Sequence, residues 1–200
     1  MKISELPYNN NSEEIFSLIS DEPWSIFLDS GFPSIDTGRY DVIAARPSIT
    51  LETYNEKTFI TTENNRTVSN EDPFELVRQN LGKKEENLNG LPFAGGALGY
   101  FAYDLCRRVE KISGNSKQKI NMPDMAIGIY DWSLIIDHHT KKTWLASFNR
   151  FHSTALIWDE LYGLFSRSSD LKEKNYKVKS KIKSNLSKKE YEKAFNSIKK

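Results

Sequence analysis

Two short polar segments carry residue types that could hold a small charged ligand. Asp29-Ser30-Gly31 ends one apolar run, and Arg39-Tyr40-Asp41 opens the next. If the two runs pair as antiparallel strands, their ends meet and these polar groups surround one spot. An amino acid would fit there, with its carboxylate on Arg39 and the turn amides and its ammonium on Asp29 or Asp41. The alternative is a salt-bridged strand end that binds no ligand.

The other reactive residue types do not favour catalysis or metal binding. His138 and His139 are adjacent, so on a strand they would point to opposite faces, and we interpret them as a solvent-facing turn pair. His152 lies in another segment. Cys106 is the single cysteine, which excludes an internal disulfide framework, and we interpret it as a packed thiol in a helical turn. We therefore expect no catalytic residue, metal or cofactor in this chain.

A glycine-rich stretch stands near the middle of the chain. Pro92–Arg108, PFAGGALGYFAYDLCRR, contains Gly95, Gly96 and Gly99 inside an apolar and aromatic run. The stretch lacks the G-x-G-x-x-G spacing and a following Lys-Ser/Thr, which excludes the usual phosphate-binding loops. Glycine inside a strand costs roughly 0.5–1 kcal/mol relative to alanine. The pattern therefore predicts a strand pressed against a close neighbour, followed by a short helical or looped segment.

Composition limits the class of protein. A content of 38% hydrophobic and 28% charged residues is typical of a globular chain. The net charge of +1 gives no electrostatic reason to expect nucleic acid or a membrane as a partner. The N-terminus has no apolar signal region, and apolar residues never run on for the ~18 positions of a membrane span. We expect a cytoplasmic protein.

The periodicity of apolar residues predicts the elements that would position the polar segments. It predicts strands at Trp24–Ser30, buried on both faces, at Arg39–Arg46, at Ser48–Tyr54 with Lys57–Thr62, and at Met125–Asp137 with Thr143–Phe148. It predicts helices at 12–20 capped by Ser12, at 73–81 capped by Asp72, and over Ala155–Phe165 capped by Ser153, with a polar loop at 64–70. The fold class is α+β, with a mainly antiparallel sheet and flanking helices.

The end of the sequence differs from the rest. Residues 166–186 are rich in lysine and poor in apolar residues, which predicts a linker. Ser187 and Glu190 then form a capping box ahead of an apolar stripe that needs something to pack against. We expect one domain over residues 1–165, the linker, and the start of a further domain at 187–200. The chain then represents the front portion of a larger protein.

Several blocks of sequence resemble a known family. Four blocks resemble the N-terminal region of the chorismate-utilising enzymes, which include aminodeoxychorismate synthase component I and anthranilate synthase component I. In chain order the blocks are EPWSIFLDSG, RYDVIAARP, PFAGGALGYFAYDLCRR and MPDMAIGIYDWSLIIDHH. SKKEYEKAFNSIKK resembles the first helix of the family's chorismate-binding domain, a catalytic domain otherwise missing from this chain. The YDW and DH residues are more similar to the aminodeoxychorismate branch.

The resemblance implies a function for the whole enzyme. It implies conversion of chorismate to 4-amino-4-deoxychorismate for folate synthesis, with Mg²⁺ and with ammonia from a glutamine amidotransferase subunit. The catalytic and Mg²⁺-binding residues of the family belong to the C-terminal domain, so none is implied here. The alternatives are a fragment of anthranilate synthase component I and a free-standing amino-acid-binding module.

The resemblance also implies an L-tryptophan pocket in this region. The matching positions in this chain are Ser30, Thr37, Gly38, Arg39 and Tyr40. They overlap the polar segments identified above from residue types alone. Thr37 stands where some relatives have an aromatic residue.

Overall fold

The computed structural model describes residues 1–83, 90–108, 110, 121–167 and 177–199. Its strands are β1 Lys2–Leu6, β2 Ile26–Leu28, β3 Tyr40–Ala44, β4 Ile49–Tyr54, β5 Lys57–Thr62, β6 Arg66–Ser69, β7 Gly96–Phe101, β8 Met125–Tyr130, β9 Trp132–Asp137 and β10 Lys142–Ser147. Its helices are α1 Ser12–Ser17, α2 Pro73–Leu81, α3 His152–Ser166 and α4 Lys188–Ile198, with a 3₁₀ helix at Tyr103–Arg108. Residues 84–89 lie outside the described residues, and so do residues 168–176, which are part of the predicted linker.

The strands in the described part of the chain form two five-stranded antiparallel sheets. The first sheet has the order β1-β10-β9-β3-β2, and the second has the order β6-β5-β4-β8-β7. Helices α1 and α3 contribute buried residues to the core of the first sheet, and α2 contributes to that of the second. The predicted α+β class with a mainly antiparallel sheet is confirmed.

The predicted long strand Met125–Asp137 is wrong in one respect. It is divided at Asp131 into β8 and β9, which belong to different sheets. The Asp131 carboxylate is buried and accepts the backbone N–H groups of Arg150 and Phe151 at 3.1 and 3.0 Å. A buried carboxylate needs such donors. The apolar run Met125–Asp137 thus forms one strand in each sheet, and Asp131 is the point at which the chain passes between them.

The predicted strand Trp24–Ser30 is shorter and less buried than expected. Only Ile26–Leu28 is a strand, and it pairs with β3 alone at the edge of the first sheet. Leu28 is 48% exposed. The composition indicated burial on both faces because an apolar edge strand and a central strand look alike in sequence.

Further strands and caps differ from the predictions. The polar loop at 64–70 contains β6, and β1 was not predicted. Helix α1 is capped by Asn11, whose side chain accepts the Glu14 N–H, so Ser12 is not the cap. Helix α3 begins after Phe151 without a side-chain cap, so Ser153 is not a cap either.

The apolar residues of α3 do not all face the core. Leu161 and Phe165 are buried, but Leu156 is 71% exposed. Trp158 takes its place in the core. The Asp72 cap and Pro73 start of α2 are confirmed, since the Asp72 carboxylate accepts the N–H groups of residues 74 and 75.

The first sheet has an apolar cluster on each face. On the face covered by α1 and α3, the buried side chains include Ile43, Leu134 and Ile136. On the opposite face, Tyr40 packs with the buried Ile135. Because side chains alternate along a strand, consecutive residues of β3 point to opposite faces. The side chains of Tyr40 and Asp41 therefore point to opposite faces of the first sheet.

The glycine-rich stretch forms β7 at the edge of the second sheet. At Gly99 the backbone φ is +150°, and an added Cβ would overlap the carbonyl oxygen of Ala126 on β8. The predicted close neighbour is therefore the adjacent strand of the same sheet. The predicted short helical segment after it is the 3₁₀ helix, in which Cys106 is half-buried.

Helix α4 has the predicted capping box, with the Ser187 hydroxyl accepting the Glu190 N–H and the Glu190 carboxylate accepting the Ser187 N–H. Its apolar residues Tyr191, Phe195 and Ile198 are 64%, 52% and 86% exposed. The division into a domain at 1–165, a linker at 166–186 and a further domain from 187 stays a prediction.

Candidate functional site

The two polar segments identified in the sequence lie next to each other at one end of the first sheet. Strands β2 and β3 pair in antiparallel register, with Leu28 opposite Val42, so the end of β2 lies beside the start of β3. The Ser30 backbone N–H donates to Asp41 Oδ1 at 2.8 Å. The predicted meeting of the two strand ends is therefore confirmed for Ser30 and Asp41.

A histidine that we interpreted as solvent-facing completes this end of the sheet. His138 is 4% exposed, and its Nε2 lies 2.8 Å from Asp41 Oδ2. Its Nδ1 lies 3.0 Å from the Tyr8 hydroxyl, and its ring stacks on Phe32 at a centroid distance of 4.2 Å. The interpretation was wrong for His138 and correct for His139, whose side chain is exposed.

The Asp41 carboxylate is charged in this setting. Burial acts to raise its pKa, but the hydrogen bonds with His138 and with the Ser30 backbone N–H hold the pKa below its ordinary value. Both oxygens of the buried Asp41 carboxylate therefore already have hydrogen-bond partners within the protein.

The loop between the two strands folds back on Ser30. Gly38 is buried, and a Cβ added there would lie 2.8 Å from the Ser30 carbonyl oxygen and 3.0 Å from the Phe32 nitrogen. The Gly38 N–H donates to the carbonyl of Ile35 at 2.9 Å. Only glycine allows this close return of the chain. Thr37 beside it is exposed.

Arg39 lies in a different set of contacts. Its guanidinium donates to the buried Asp137 carboxylate, with Nη2 at 2.9 Å from Oδ2, and stands 4.5 Å from the centroid of the Tyr40 ring. The Arg39 side chain remains 43% exposed. Its donors are therefore only partly used, and its outer edge can still meet an anion.

Asp137 is the anchor of that arrangement. Burial acts to raise its pKa, but the hydrogen bond from Arg39 and those from the backbone N–H groups of His139 and Thr140 lower the pKa to about 2. A carboxylate that accepts several donors in this way stays ionised at neutral pH. It fixes Arg39 at the end of β9.

The five residues implied by the resemblance divide between two places. Arg39 and Tyr40 line a cavity of about 550 Å³ together with Leu91, Asp137 and Trp144. Asp29, Gly31 and Asp41 line a separate cavity of about 440 Å³ next to Ser30. Ser30 and Gly38 touch each other, whereas the Arg39 guanidinium lies with Asp137 and Tyr40. The expected single ring of polar groups is therefore two adjoining sites.

The larger cavity, which Arg39 and Tyr40 line, has side chains suited to binding a small ligand. A half-exposed guanidinium can pair with a carboxylate, and the side chains of Tyr40, Leu91 and Trp144 line the same cavity and offer apolar surface to a ring. Among the described residues, no group of three or more His, Cys, Asp or Glu side chains is arranged to hold a metal ion. No helix in the described part of the chain is long and apolar enough to cross a membrane.

The sequence is similar to a family of known proteins. A model of the chorismate binding enzyme family matches residues 25–200. Aminodeoxychorismate synthase component 1 of Escherichia coli K12 is 40% identical over 141 residues, covering 69% of this chain and 31% of that protein. The protein of the same name from Klebsiella aerogenes is 40% identical over 148 residues, covering 72% and 33%.

The anthranilate branch is also similar. Anthranilate synthase component 1 of Acetivibrio thermocellus is 36% identical over 107 residues, covering 52% of this chain and 22% of that protein. The crystal structure of anthranilate synthase component I from Streptococcus pneumoniae TIGR4 superposes with a TM-score of 0.55 at 22% identity, covering 64% of this chain and 29% of that one. The chain thus spans about a third of the length of the first relatives it matches. The family match over most of the sequence shows that the chain belongs to the chorismate binding enzymes.

Proposed function

We propose that this chain is the N-terminal portion of an aminodeoxychorismate synthase component I. The observation that carries the proposal is the 40% identity to the Escherichia coli protein of that name over 141 residues. The identity to the anthranilate synthase relative from Acetivibrio thermocellus is 36% over a shorter stretch of 107 residues. The whole enzyme would make 4-amino-4-deoxychorismate from chorismate and ammonia for folate synthesis.

In this proposal the chain supports binding and leaves catalysis to another domain. The described residues hold no cluster suited to a metal ion, and Mg²⁺ would be bound by the other domain. The relatives are named as component 1 proteins, which supports the expectation of a second component, and a glutamine amidotransferase subunit is the proposed partner. The other proposed neighbour is the chorismate-binding domain, of which α4 would be the first helix.

The proposed ligand of the domain itself is L-tryptophan. Its carboxylate would pair with Arg39, and its indole would lie on the apolar wall that includes Tyr40 and Trp144. Ser30, Thr37 and Gly38 form the adjoining loop. The support for this proposal is that Arg39 is half-exposed and shares one cavity with two aromatic rings.

A chimera tests the assignment to the aminodeoxychorismate branch. The matching region of this chain would replace the corresponding 141-residue region of the Escherichia coli relative in a strain that requires p-aminobenzoate. We expect growth without p-aminobenzoate. A matched chimera with anthranilate synthase component 1 would be tested in a tryptophan-requiring strain, and rescue there with none in the first strain would overturn the assignment.

A further inference from the structure

His138 is buried at the end of the first sheet, where it contacts three separate segments of the chain. It does not line the cavity proposed to hold tryptophan. It lies beside Asp41 at the start of β3, Tyr8 after β1, and Phe32 in the loop after β2. We propose that His138 is a positioning residue of the amino-acid site, holding the Asp41 carboxylate so that Asp41 holds the Ser30 loop. This inference rests on the proposed tryptophan site.

A single carboxylate, that of Asp41, joins His138 to Ser30. Asp41 Oδ2 is 2.8 Å from His138 Nε2, and Asp41 Oδ1 accepts the Ser30 N–H at 2.8 Å. With only the Ser30 contact, the carboxylate could rotate about its Cβ–Cγ bond. The contact with the ring fixes the plane of the carboxylate and therefore the direction in which Ser30 is held.

The partners of the His138 ring determine its tautomer. The ionised Asp41 carboxylate can only accept a hydrogen bond, so Nε2 carries a proton and donates it to Asp41. The Tyr8 hydroxyl can then donate to Nδ1. Each ring nitrogen then has one partner, and the assignment follows from this network.

Other contacts leave the Ser30 loop little freedom to move. Gly38 packs against its carbonyl oxygen from the other side, and the ring of Phe32, two residues further on, stacks on His138. Arg39 follows Gly38 directly in the chain. A shift of Ser30 would therefore move the loop that leads into Arg39, and with it the proposed anion contact.

Two variants with the same functional group test the proposal on the 200-residue chain. The amide nitrogen of His138→Gln can occupy the place of Nε2 and still donate to Asp41, whereas the shorter side chain of His138→Asn cannot reach it. We expect the Ser30 amide to exchange with solvent about tenfold faster or more in His138→Asn, as for loss of a hydrogen bond to a charged group, and near the native rate in His138→Gln. His139→Gln, an adjacent exposed position, is the control and should change nothing.

The affinity for L-tryptophan, measured by calorimetry in the same proteins, should follow the Ser30 exchange rate. Unchanged Ser30 exchange in His138→Asn overturns the positioning role. If the unaltered chain binds no tryptophan, the proposed tryptophan site fails, and Ser30 exchange still decides whether His138 holds the loop.

If His138→Asn does not fold, ¹⁵N NMR of the unaltered chain decides the matter. A proton on Nε2 supports the proposal, because only Nε2–H can donate to the Asp41 carboxylate. A bare Nε2 overturns it.

Discussion

Asp41 and His138 are 97 positions apart in the sequence, and their side chains lie 2.8 Å apart. On the other side of the same strand pair, Arg39 and Asp137 are joined at 2.9 Å across 98 positions. Two polar pairs thus fasten the start of β3 to the end of β9. Because neither pair can form if the strands slip by one residue, the register at the candidate site is fixed from both faces.

The Asp137 carboxyl should make stability depend on pH. Its pKa in the folded chain is about 2, below the ordinary value of 3.8, so its contribution is fully present above about pH 4 and is lost as the pH falls towards 2. A shift of this size corresponds to roughly 2 kcal/mol. Urea unfolding between pH 2 and 7 should show a smaller acid loss in Asp137→Asn than in the unaltered chain.

The control for this experiment is Asp36→Asn, a change in an exposed loop residue. It should leave the pH dependence of unfolding as it is in the unaltered chain. An identical acid loss in Asp137→Asn and the unaltered chain would show that Asp137 is not the group responsible.

Gly99 should not tolerate a side chain. A Cβ would overlap the Ala126 carbonyl oxygen at a φ of +150°, a conformation in which strain costs on the order of 1–3 kcal/mol. The free energy of unfolding of Gly99→Ala in urea should fall by at least that amount. Gly163→Ala is the matched control, since Gly163 lies within α3 with no atom within 4 Å of an added Cβ.

Gly163→Ala should leave the protein unchanged or stabilise it by up to about 1 kcal/mol, the helical preference of alanine over glycine. Equal effects of the two substitutions would mean that β7 and β8 do not approach each other as closely as described.

Helix α4 should exchange its amide hydrogens faster than the sheets. None of its residues is buried, and an isolated helix of this length is marginal in water. Hydrogen exchange on the 200-residue chain should show amides of residues 191–198 exchanging well before those of β8 and β9. Protection of α4 equal to that of β9 would mean that its apolar stripe is already packed in this chain.

The chain by itself should not convert chorismate. The proposal assigns catalysis and Mg²⁺ binding to another domain, and the described residues offer no metal-binding cluster. Incubation with chorismate, ammonia and Mg²⁺ should give no 4-amino-4-deoxychorismate by chromatography, with the intact Escherichia coli relative as the positive control. Product formation above the blank would contradict the assignment of catalysis to another domain.

Local sequence signals predicted those parts of the fold that depend on local chemistry. The Asp72 cap, the Ser187 capping box and the hairpin of β4 and β5 each rest on neighbouring residues, and each is confirmed. Strand β6 was missed because its residues are polar and mostly exposed at an edge of the second sheet. The backbone hydrogen bonds of β6 to β5 make it a strand, although its composition does not favour one.

The candidate site was predicted only where it depends on local sequence signals, and its contacts between distant segments were missed. Polar residues at two strand ends indicated that Ser30 and Asp41 would meet, and they do. His138 was missed because its burial depends on Tyr8 and Asp41, which are 130 and 97 positions away. A signal was present in the apolar strand that runs directly into the histidine pair, but adjacency alone cannot say which histidine turns inwards.

The proposed tryptophan site depends most directly on Arg39, the contact for the carboxylate of the amino acid. Titration of the 200-residue chain with L-tryptophan in a calorimeter should show binding that Arg39→Ala weakens by roughly 1.5–3 kcal/mol, the value of a hydrogen bond to a charged group. Arg78→Ala, which removes an exposed arginine paired with Glu75 on α2, is the control and should bind as the unaltered chain does. Equal affinity of Arg39→Ala and the unaltered chain would contradict the proposed site.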